Sequence, residues 1–555
     1  MFRWPHTTRS PPADPRVRRA FRVACVVLVV CASLAAVPST VAAADGLGSD
    51  AAEPSDGPHI VSVFPDPVAD GDAGEYVVVD PAGTSNLSLS DGETTVSVPP
   101  DGPVAVSATP NATRELVDVP VAEAELLLSN GGERLVLRRN GTAIDRVSYE
   151  ETNEGERLNA TTHGWTPRGL ERRTAASTGP ATATAFVLPD APEVPLDTLE
   201  DADRRILLAS YTFASPRVAD ALLAAAERGV RVRVLIDGGP IGGMSTRQRD
   251  QLDRLAAGGV EVRALGGPHA RFAYHHPKYA VVDDAALVLT ENWKPAGTGG
   301  HDSRGWGVRI RSERTAAELA AVFAHDADGV DAVRWRAHRR NATFVEAGPP
   351  AGSYPTNIEP ESVDVDGVRV LTAPGNAGSE IERSIATANH SVDVISPRLD
   401  PASPYFEALV AAAERGVTVR ILLSNARYDA ESNRALVDRT DRLREEGLPI
   451  EARVADPAGR FGKVHAKGAV IDGETAIVGS LNWNTHAAAE NREVLVALDG
   501  HEPATYYTRA FDSDWTAASG SAGGTDWRVR GTLAAGGVAA VGLAGFVLRQ
   551  TIEFE

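Results

Sequence analysis

Two short histidine motifs carry the residue types best suited to chemistry in this 555-residue chain. Each motif has a histidine, a lysine two residues later and an aspartate five residues after the lysine: His276, Lys278 and Asp283 in the first, His465, Lys467 and Asp472 in the second. Each is followed by a hydroxyl and an amide side chain: Thr290 and Asn292 in the first, Ser480 and Asn482 in the second.

This inventory of two imidazoles, two ammonium groups, two hydroxyls and two amides suits cleavage of a phosphoryl ester in two displacements. One imidazole attacks phosphorus, and the other protonates the leaving oxygen and then activates water. The lysines and the neutral donors stabilise charge on the non-bridging oxygens. This chemistry requires no metal and no other cofactor, and it implies a phosphodiester substrate.

The elements around the second motif place these groups on one surface. A histidine and a lysine two residues apart on a strand point the same way, because side chains in a strand alternate. The runs "GAVID" and "TAIVG" after Lys467 predict a hairpin that returns Ser480 and Asn482 to the same face.

An internal repeat contains both motifs. "LLAAAERGVRVRVLID" from Leu222 matches "LVAAAERGVTVRILLS" from Leu409, and each predicts an amphipathic helix, a glycine turn and an apolar strand. Each copy also ends in a Phe-x-x-Asp element, at Asp326 and Asp514. The repeat predicts two α/β lobes related by a pseudo-twofold axis, over residues 185–345 and 361–516.

The doubled motif resembles the phospholipase D superfamily, whose signature is H-x-K-x4-D followed by G-S-x-N. The resemblance covers roughly Ala185 to Trp515. It implies that His276 is the nucleophile and His465 the general acid and then base. It further implies phosphate binding by a set of six side chains: Lys278, Lys467, Thr290, Ser480, Asn292 and Asn482. Three acidic residues would support the site: Glu493 as the partner of a catalytic imidazole, with Asp283 and Asp472 bracing the motifs.

The first copy departs from the signature, which leaves open which histidine is the nucleophile. Leu289 and Thr290 stand where the signature has Gly and Ser, and His275 directly precedes His276. The position that matches Glu493 falls near Trp306. We therefore expect one of the two histidines to lack a carboxylate partner.

Residues 57–175 predict an all-β, immunoglobulin-like sandwich. Short strand-sized runs such as "HIVSVFP", "EYVVVD", "ELLLSN" and "RLVLRR" recur at regular spacing between turn residues. The segments "GEYVVVDPAG", "NLSLSDG" and "GGERLVLRRNGTAIDRVSY" resemble the lamin-tail domain. Nothing in this region carries the residue types of a catalytic site.

The composition is strongly acidic and almost free of lysine. The formal charge is −20, and 51 of the 55 basic residues are arginine. Such a surface is typical of proteins adapted to high salt, although a bias in base composition also favours arginine. At low ionic strength the overall field repels nucleic acid and anionic lipid, so a phosphate-bearing substrate needs a local basic site.

The two ends of the chain predict export and anchoring. Residues 1–44 read as a signal peptide that contains both cysteines, Cys25 and Cys31, so no disulfide is expected in the mature protein. Residues 531–548 are uncharged and just long enough for a transmembrane helix. The expected fold class is thus a β-sandwich, a duplicated α/β phospholipase D-like domain and a C-terminal transmembrane helix, located at the cell surface.

Three functions remain open from the sequence. The first is a membrane-tethered phosphodiesterase that hydrolyses phospholipids through a phosphohistidine, with hydrolysis and transfer to an alcohol not distinguished. The second is a secreted nuclease that uses the same site. The third is a non-catalytic cell-surface binding protein, suggested by the altered first motif. The sequence indicates no obligate protein partner.

Overall fold

The computed structural model describes residues 57–170, 173–175, 177–267, 269–348 and 352–520. The first of these ranges forms a β-sandwich of two sheets around one apolar core. One sheet has six strands in the order β10-β9-β1-β2-β5-β6, and the other has four in the order β4-β3-β7-β8. The strands and the short α-helix are β1 His59–Phe64, β2 Tyr76–Asp80, β3 Leu87–Ser90, β4 Thr95–Val98, β5 Val104–Ser107, α1 Pro110–Arg114, β6 Val121–Glu123, β7 Glu133–Arg139, β8 Thr142–Tyr149, β9 Glu156–Asn159 and β10 Gly164–Pro167.

The sandwich agrees with the expected all-β region except at one run. "ELLLSN" (residues 125–130) is not a strand. The backbone N–H of Leu128 donates to the Glu75 carboxylate at 3.1 Å instead of to a neighbouring strand. Burial raises the pKa of Glu75 to about 7 against the effect of this bond. The likeness to the lamin-tail domain stays a prediction.

The first α/β lobe is built on a long mixed sheet. Its strand order is β19-β15-β13-β12-β16-β17-β18-β11-β21. Helix α3 begins at a Ser-Pro pair, in which Ser215 Oγ accepts a hydrogen bond from Val218 N. The elements are β11 Ala181–Leu188, α2 Glu193–Glu200, β12 Arg205–Ser210, α3 Pro216–Glu227, β13 Arg231–Asp237, β14 Met244–Ser245, α4 Thr246–Ala257, β15 Glu261–Leu265, β16 Tyr279–Val282, β17 Ala285–Leu289, β18 Ser303–Arg311, α5 Glu313–Ala327, β19 Ala332–Arg334, α6 Trp335–His338, β20 Phe344–Val345 and β21 Glu361–Val365.

The second lobe repeats this plan. Its sheet has the order β22-β29-β28-β27-β23-β24-β25. Helix α8 again begins at a Ser-Pro pair, and Ser403 Oγ accepts from Phe406 N. The elements are β22 Gly367–Ala373, α7 Ala377–Ala386, β23 Ser391–Ser396, α8 Pro404–Glu414, β24 Thr418–Leu423, α9 Ala430–Glu445, β25 Ile450–Val454, β26 Lys463–Val464, β27 Gly468–Ile471, β28 Thr475–Gly479, α10 Thr485–Ala489, β29 Glu493–Asp499 and α11 His501–Gly520.

The two lobes have the same order of seven strands, as the repeat predicts. The order β11-β18-β17-β16-β12-β13-β15 in the first lobe corresponds to β22-β29-β28-β27-β23-β24-β25 in the second. One apolar core contains buried residues of both lobes, including Trp306 and Val308 of the first and Val494 and Val496 of the second. Strand β21, at the start of the range expected for the second lobe, pairs with β11 of the first.

The expectation of a fold that ends in a transmembrane helix needs correction. Among the described residues, no helix is both long enough and apolar enough to cross a bilayer. Residues 531–548 lie outside the described part of the chain, as do residues 1–44 that were read as a signal peptide. The prediction of a cell-surface location anchored by that helix is therefore wrong for the described part of the chain.

Candidate active site

The histidine motifs lie just before strands β16 and β27, not within a strand as their alternation suggests. Their backbone pairs with the opposite lobe: His276 N donates to Arg492 O at 2.9 Å, and His465 N donates to Arg304 O at 3.0 Å. Strand β18 accordingly pairs with β26 across the lobe boundary. Each motif is therefore held by the start of a sheet strand of the other lobe, β29 for His276 and β18 for His465.

The imidazole of His276 is held by a buried carboxylate of the second lobe. Both carboxylate oxygens of Glu493 lie 2.9 Å from His276 Nδ1. Glu493 is 0% exposed and also accepts hydrogen bonds from Ser480 Oγ at 2.5 Å and Asn491 Nδ2 at 3.1 Å. Because a carboxylate only accepts, the neutral ring would carry its proton on Nδ1 and have its lone pair on Nε2. The ring also meets Tyr211 edge-on, with centroids 4.7 Å apart.

The expectation that one histidine lacks a carboxylate partner is wrong. His465 Nδ1 lies 3.2 Å from Oε2 of Glu291, a fully buried residue of the first lobe. Burial alone would raise the pKa of Glu291, but the charges of His465, Lys467 and Lys294 and the contact with the imidazole lower it. Glu291 was missed because it occupies the variable position between Thr290 and Asn292. The sequence did contain a signal for Glu291, because it is a carboxylate at the end of an otherwise apolar strand of the hairpin.

Each motif lysine folds back on its own motif. Lys278 Nζ donates to the carbonyl of His276 at 2.7 Å, and Lys467 Nζ donates to that of His465 at 2.9 Å. Lys467 Nζ also lies 2.9 Å from His465 Nε2. The ammonium group and the ring nitrogen thus face the same small volume, where a phosphate oxygen would be in reach of both.

The hydroxyl residues that follow the motifs contact protein groups. Thr290 Oγ1 accepts from Trp306 N at 2.9 Å, and Ser480 Oγ accepts from Val494 N at 3.0 Å. Asn292 Oδ1 faces Thr212 N at 3.4 Å, whereas Asn482 lines a cavity beside His465. Phosphate binding by these four side chains remains a prediction.

Asp283 and Asp472 lie at the turns between the two strands of each hairpin. The motif lysines directly precede strands β16 and β27, and the aspartates directly follow them. The Asp283 carboxylate accepts hydrogen bonds from the backbone N–H groups of residues 203–205 at 2.8 to 2.9 Å. The Asp472 carboxylate accepts from residues 389–391 at 2.7 to 2.9 Å. Burial opposes ionisation, but these bonds lower the pKa of both groups. This geometry supports the bracing role.

Two buried arginines, which sequence reasoning missed, cross the lobe boundary. Arg304 Nε lies 2.9 Å from Asp514 Oδ2, and Arg492 Nε donates to Asp326 Oδ2 at 2.9 Å. The aspartates belong to the repeated Phe-x-x-Asp elements. All four side chains are 0% exposed, so each pair stabilises the lobe interface from inside it. His275 also belongs here, since its Nε2 lies 3.7 Å from Asp326.

A cavity of about 100 Å³ opens beside His465 and Asn482. Its other lining groups are mostly polar: Pro397, Arg398, Asp400, Tyr428, Asp429 and Asn484. Burial raises the pKa of Asp429 to about 6, although Arg398, Lys463 and Lys467 oppose this shift. In the described ranges, no group of three or more His, Cys, Asp or Glu side chains is arranged to hold a metal ion.

One family model matches the chain twice, once in each lobe. Residues 196–327 and 381–515 match the family described as "Cardiolipin synthase, PLD-like domain". A mitochondrial cardiolipin hydrolase of Xenopus tropicalis is 31% identical over 108 residues, which cover 20% of this chain and 47% of that protein. Cardiolipin synthase A of Shigella dysenteriae is 27% identical over 135 residues, which cover 23% of this chain and 26% of that protein.

The chain thus spans less than half the length of either of these relatives. Among solved structures, a phosphatidylserine synthase of Haemophilus influenzae is 14% identical and has a TM-score of 0.47, covering 61% of this chain and 88% of that one. Each matched segment of the family contains one complete histidine motif and its Phe-x-x-Asp element. Each lobe therefore contains a segment that matches a PLD-like domain, and the two matches together support a relation to the phospholipase D superfamily.

Proposed function

We propose that the paired lobes form a phosphodiesterase that hydrolyses phospholipids through a phosphohistidine intermediate. One observation carries the proposal: each motif histidine has its Nδ1 against a buried carboxylate from the opposite lobe, His276 on Glu493 and His465 on Glu291. A carboxylate on Nδ1 fixes the tautomer and stabilises the imidazolium that forms during proton transfer or attack. We assign the two Nε2 atoms to the reaction with one substrate at the lobe boundary.

In the first step, His276 Nε2 attacks phosphorus and forms the N–P bond. The bond from phosphorus to the leaving oxygen breaks, and that oxygen takes a proton from His465 Nε2. Lys278 and Lys467 stabilise the charge that builds on the non-bridging oxygens. The products of this step are an alcohol and a phosphoryl group on His276.

In the second step, His465 has lost its proton and acts as a base. It takes a proton from water, the water oxygen attacks phosphorus, and the N–P bond breaks. His276 recovers its lone pair and the product leaves as a phosphate monoester. Because the same imidazole serves as acid and then as base, it must stay next to the leaving-group side of the site.

Two observations support phospholipid as the substrate class. The description of the family that matches both lobes names cardiolipin synthase, and the two relatives are named as a cardiolipin hydrolase and a cardiolipin synthase. The cavity beside His465 is small and polar, which suits a hydroxylated head group on the leaving side better than a stacked base. A nuclease that uses the same histidines is the alternative outcome of the test below.

The proposal is tested by turnover of the full-length protein at multimolar salt. We expect cleavage of bis-p-nitrophenyl phosphate in the presence of EDTA, and release of head group from phosphatidylglycerol vesicles. Single-stranded DNA is offered in parallel. Cleavage of DNA alone would overturn the phospholipid assignment. No turnover of any of the three would favour the non-catalytic reading.

The assignment of the nucleophile is tested with His276→Asn and His465→Asn. Quenching during turnover with alkaline detergent, in which a phosphohistidine survives, should trap the labelled phosphoryl group on the wild-type protein and on His465→Asn. In His465→Asn the first bond can still form with an activated leaving group. His276→Asn should trap none. Label retained on His276→Asn would exchange the two roles.

A further inference from the structure

The carboxylates that hold the two histidines come from positions that are not equivalent in the two lobes. Hydrogen bonds define the correspondence: Thr290 N donates to Trp306 O, and Ser480 N donates to Val494 O, each at 3.0 Å. One residue before Val494 is Glu493, and one residue before Trp306 is Gly305. Glycine therefore stands in the first lobe where the second has its carboxylate.

The missing carboxylate of the first lobe is supplied from the neighbouring strand end. Glu291 directly follows Thr290, so its counterpart is Leu481, which directly follows Ser480. Leu481 is 0% exposed and packs in the apolar core of the second lobe. Glu291 is as deeply buried but reaches His465 Nδ1 at 3.2 Å.

Positions 291 and 305 compete for the same space. A Cβ atom on Gly305 would lie 2.2 Å from Cγ and 2.8 Å from Oε1 of Glu291. Real Cβ atoms do not approach other heavy atoms so closely, and the first contact is to the middle of a buried side chain, which cannot swing into solvent. The glutamate at 291 therefore requires the glycine at 305.

Both positions have access to the same imidazole. The carbonyl of Arg304, adjacent to Gly305, accepts hydrogen bonds from His465 N at 3.0 Å and Ala466 N at 2.9 Å. In the same way the carbonyl of Arg492, adjacent to Glu493, accepts from His276 N at 2.9 Å. The backbone of residue 305 therefore has the same position relative to His465 as the backbone of Glu493 has relative to His276.

We propose that Glu291 is the positioning residue of His465 and that Glu291 and Gly305 are an exchanged pair, in which the carboxylate has moved from one strand end to the next. This inference deepens the proposed function and rests on it. Glu291 touches no substrate; it acts by holding the Nδ1 proton of His465 and by stabilising the charged ring. The first lobe is then a complete half-site despite its altered motif.

The chain offers a direct test, because the arrangement of the second lobe can be built into the first. Glu291→Leu gives position 291 the residue found at 481, and Gly305→Glu gives position 305 the residue found at 493. We expect Glu291→Leu to lower kcat about 10²- to 10⁴-fold with little change in KM, as when the carboxylate partner of a catalytic histidine is lost. Gly305→Glu alone should also lose activity, because two side chains then claim one volume.

The double variant Glu291→Leu/Gly305→Glu should recover kcat to within about tenfold of wild type. Glu313→Leu, an exposed change on helix α5, is the control for added apolar surface. Thermal unfolding shows whether each variant is folded. A folded double variant no faster than Glu291→Leu would overturn the exchange. A Glu291→Leu protein that keeps wild-type kcat would overturn the positioning role.

A readout independent of turnover separates this inference from the proposed function. In ¹⁵N-histidine spectra of the full-length protein, His465 is identified by the signals lost in His465→Asn. We expect a proton on Nδ1 in the wild type, its loss in Glu291→Leu and its return in the double variant. An inactive wild type with this pattern would overturn the proposed function alone. An active wild type without it would overturn the inference alone.

Discussion

All four lysines of the chain lie around the two histidines. Lys278 and Lys467 fold onto their own motifs, and the charges of Lys294 and Lys463 act on the buried Glu291. The 51 arginines do the other basic work. A planar guanidinium suits fixed pairing, whereas a compact ammonium group can follow a phosphorus centre as its geometry inverts. The two motif lysines, Lys278 and Lys467, thus lie where arginine would not serve.

Lys467→Arg tests this difference at one residue. Lys467 is 1% exposed and its ammonium group lies 2.9 Å from His465 Nε2, so the larger guanidinium would displace the ring or the phosphate. We expect kcat on bis-p-nitrophenyl phosphate to fall about 10²- to 10³-fold, as when one charge-stabilising donor is lost. Lys463→Arg, which changes a lysine bonded to Tyr428 instead, should stay close to wild type. Equal activity of the two variants would refute the special role of Lys467.

The hairpin turn is the element that holds each motif against its sheet. Asp283 and Asp472 adopt left-handed backbone conformations, with φ of 52° and 53°, which aspartate tolerates better than most residues. Their carboxylates tie the turns to the first residues of strands β12 and β23 and to the residues just before them. These aspartates therefore support the motif by holding the hairpin turn in place. Their carboxylates bind backbone N–H groups and not the reacting side chains.

Asp283→Asn should separate stability from catalysis. The amide keeps the shape and the tolerance of positive φ but has one acceptor oxygen and no charge for three N–H groups. We expect unfolding to become easier by about 1 to 2 kcal/mol, with kcat unchanged. Urea unfolding and turnover are measured on the same samples. Asp284→Asn, at the exposed neighbour that pairs with Arg204, is the control. A loss of kcat in the folded Asp283→Asn protein would contradict a purely bracing role.

At the scale of the whole molecule, the site exists only where the two lobes meet. Two buried arginine–aspartate pairs and the shared apolar core hold that boundary. Arg492 and Arg304 each do two jobs: the side chain pairs with the opposite lobe, and the carbonyl holds the motif histidine of that lobe. Lobe docking and histidine positioning are therefore coupled through the same two residues.

Asp326→Asn tests this coupling. Removing one partner leaves Arg492 as a buried charge without its carboxylate, so we expect a loss of about 3 to 5 kcal/mol of stability and a loss of turnover with it. Asp328→Asn changes a half-exposed pair with Arg233 on the same helix end and should cost less than about 1 kcal/mol. If the two variants unfold alike, the interlobe pair does not stabilise the boundary.

The pH dependence of stability should carry the same signature. Burial would raise the pKa of Asp326, but Arg492 and His275 lower it to about 2 from its ordinary 3.8. The folded state therefore binds this proton less readily than the unfolded state. The stabilisation, about 2 kcal/mol, is complete above pH 4 and is lost as pH falls towards 2. The slope of stability against pH in this window should be shallower in Asp326→Asn than in wild type.

Much of the architecture could be predicted from the sequence, because it follows from the local pattern of apolar and polar residues. Helix-turn-strand periodicity and the 187-residue repeat predict the two lobes, and the hairpins after the motifs form as expected. The strand predicted at "ELLLSN" is wrong. The backbone N–H of Leu128 in this run donates a hydrogen bond to the buried carboxylate of Glu75 and not to a neighbouring strand. Residues 531–548, for which the sequence predicts a transmembrane helix, lie outside the described residues. Among the described helices, none is long and apolar enough to cross a bilayer.

The sequence by itself determined which groups could react: two imidazoles and two ammonium groups at a fixed spacing, repeated once. Only the tertiary structure decided which carboxylate holds which ring, since His276 and Glu493 are 217 residues apart and belong to different lobes. It also decided that the carboxylate beside His465 Nδ1 is that of Glu291, whereas residue 305 is a glycine. The physical reason is that motif spacing records neighbours along one strand, whereas these contacts form where strands of two folded lobes meet.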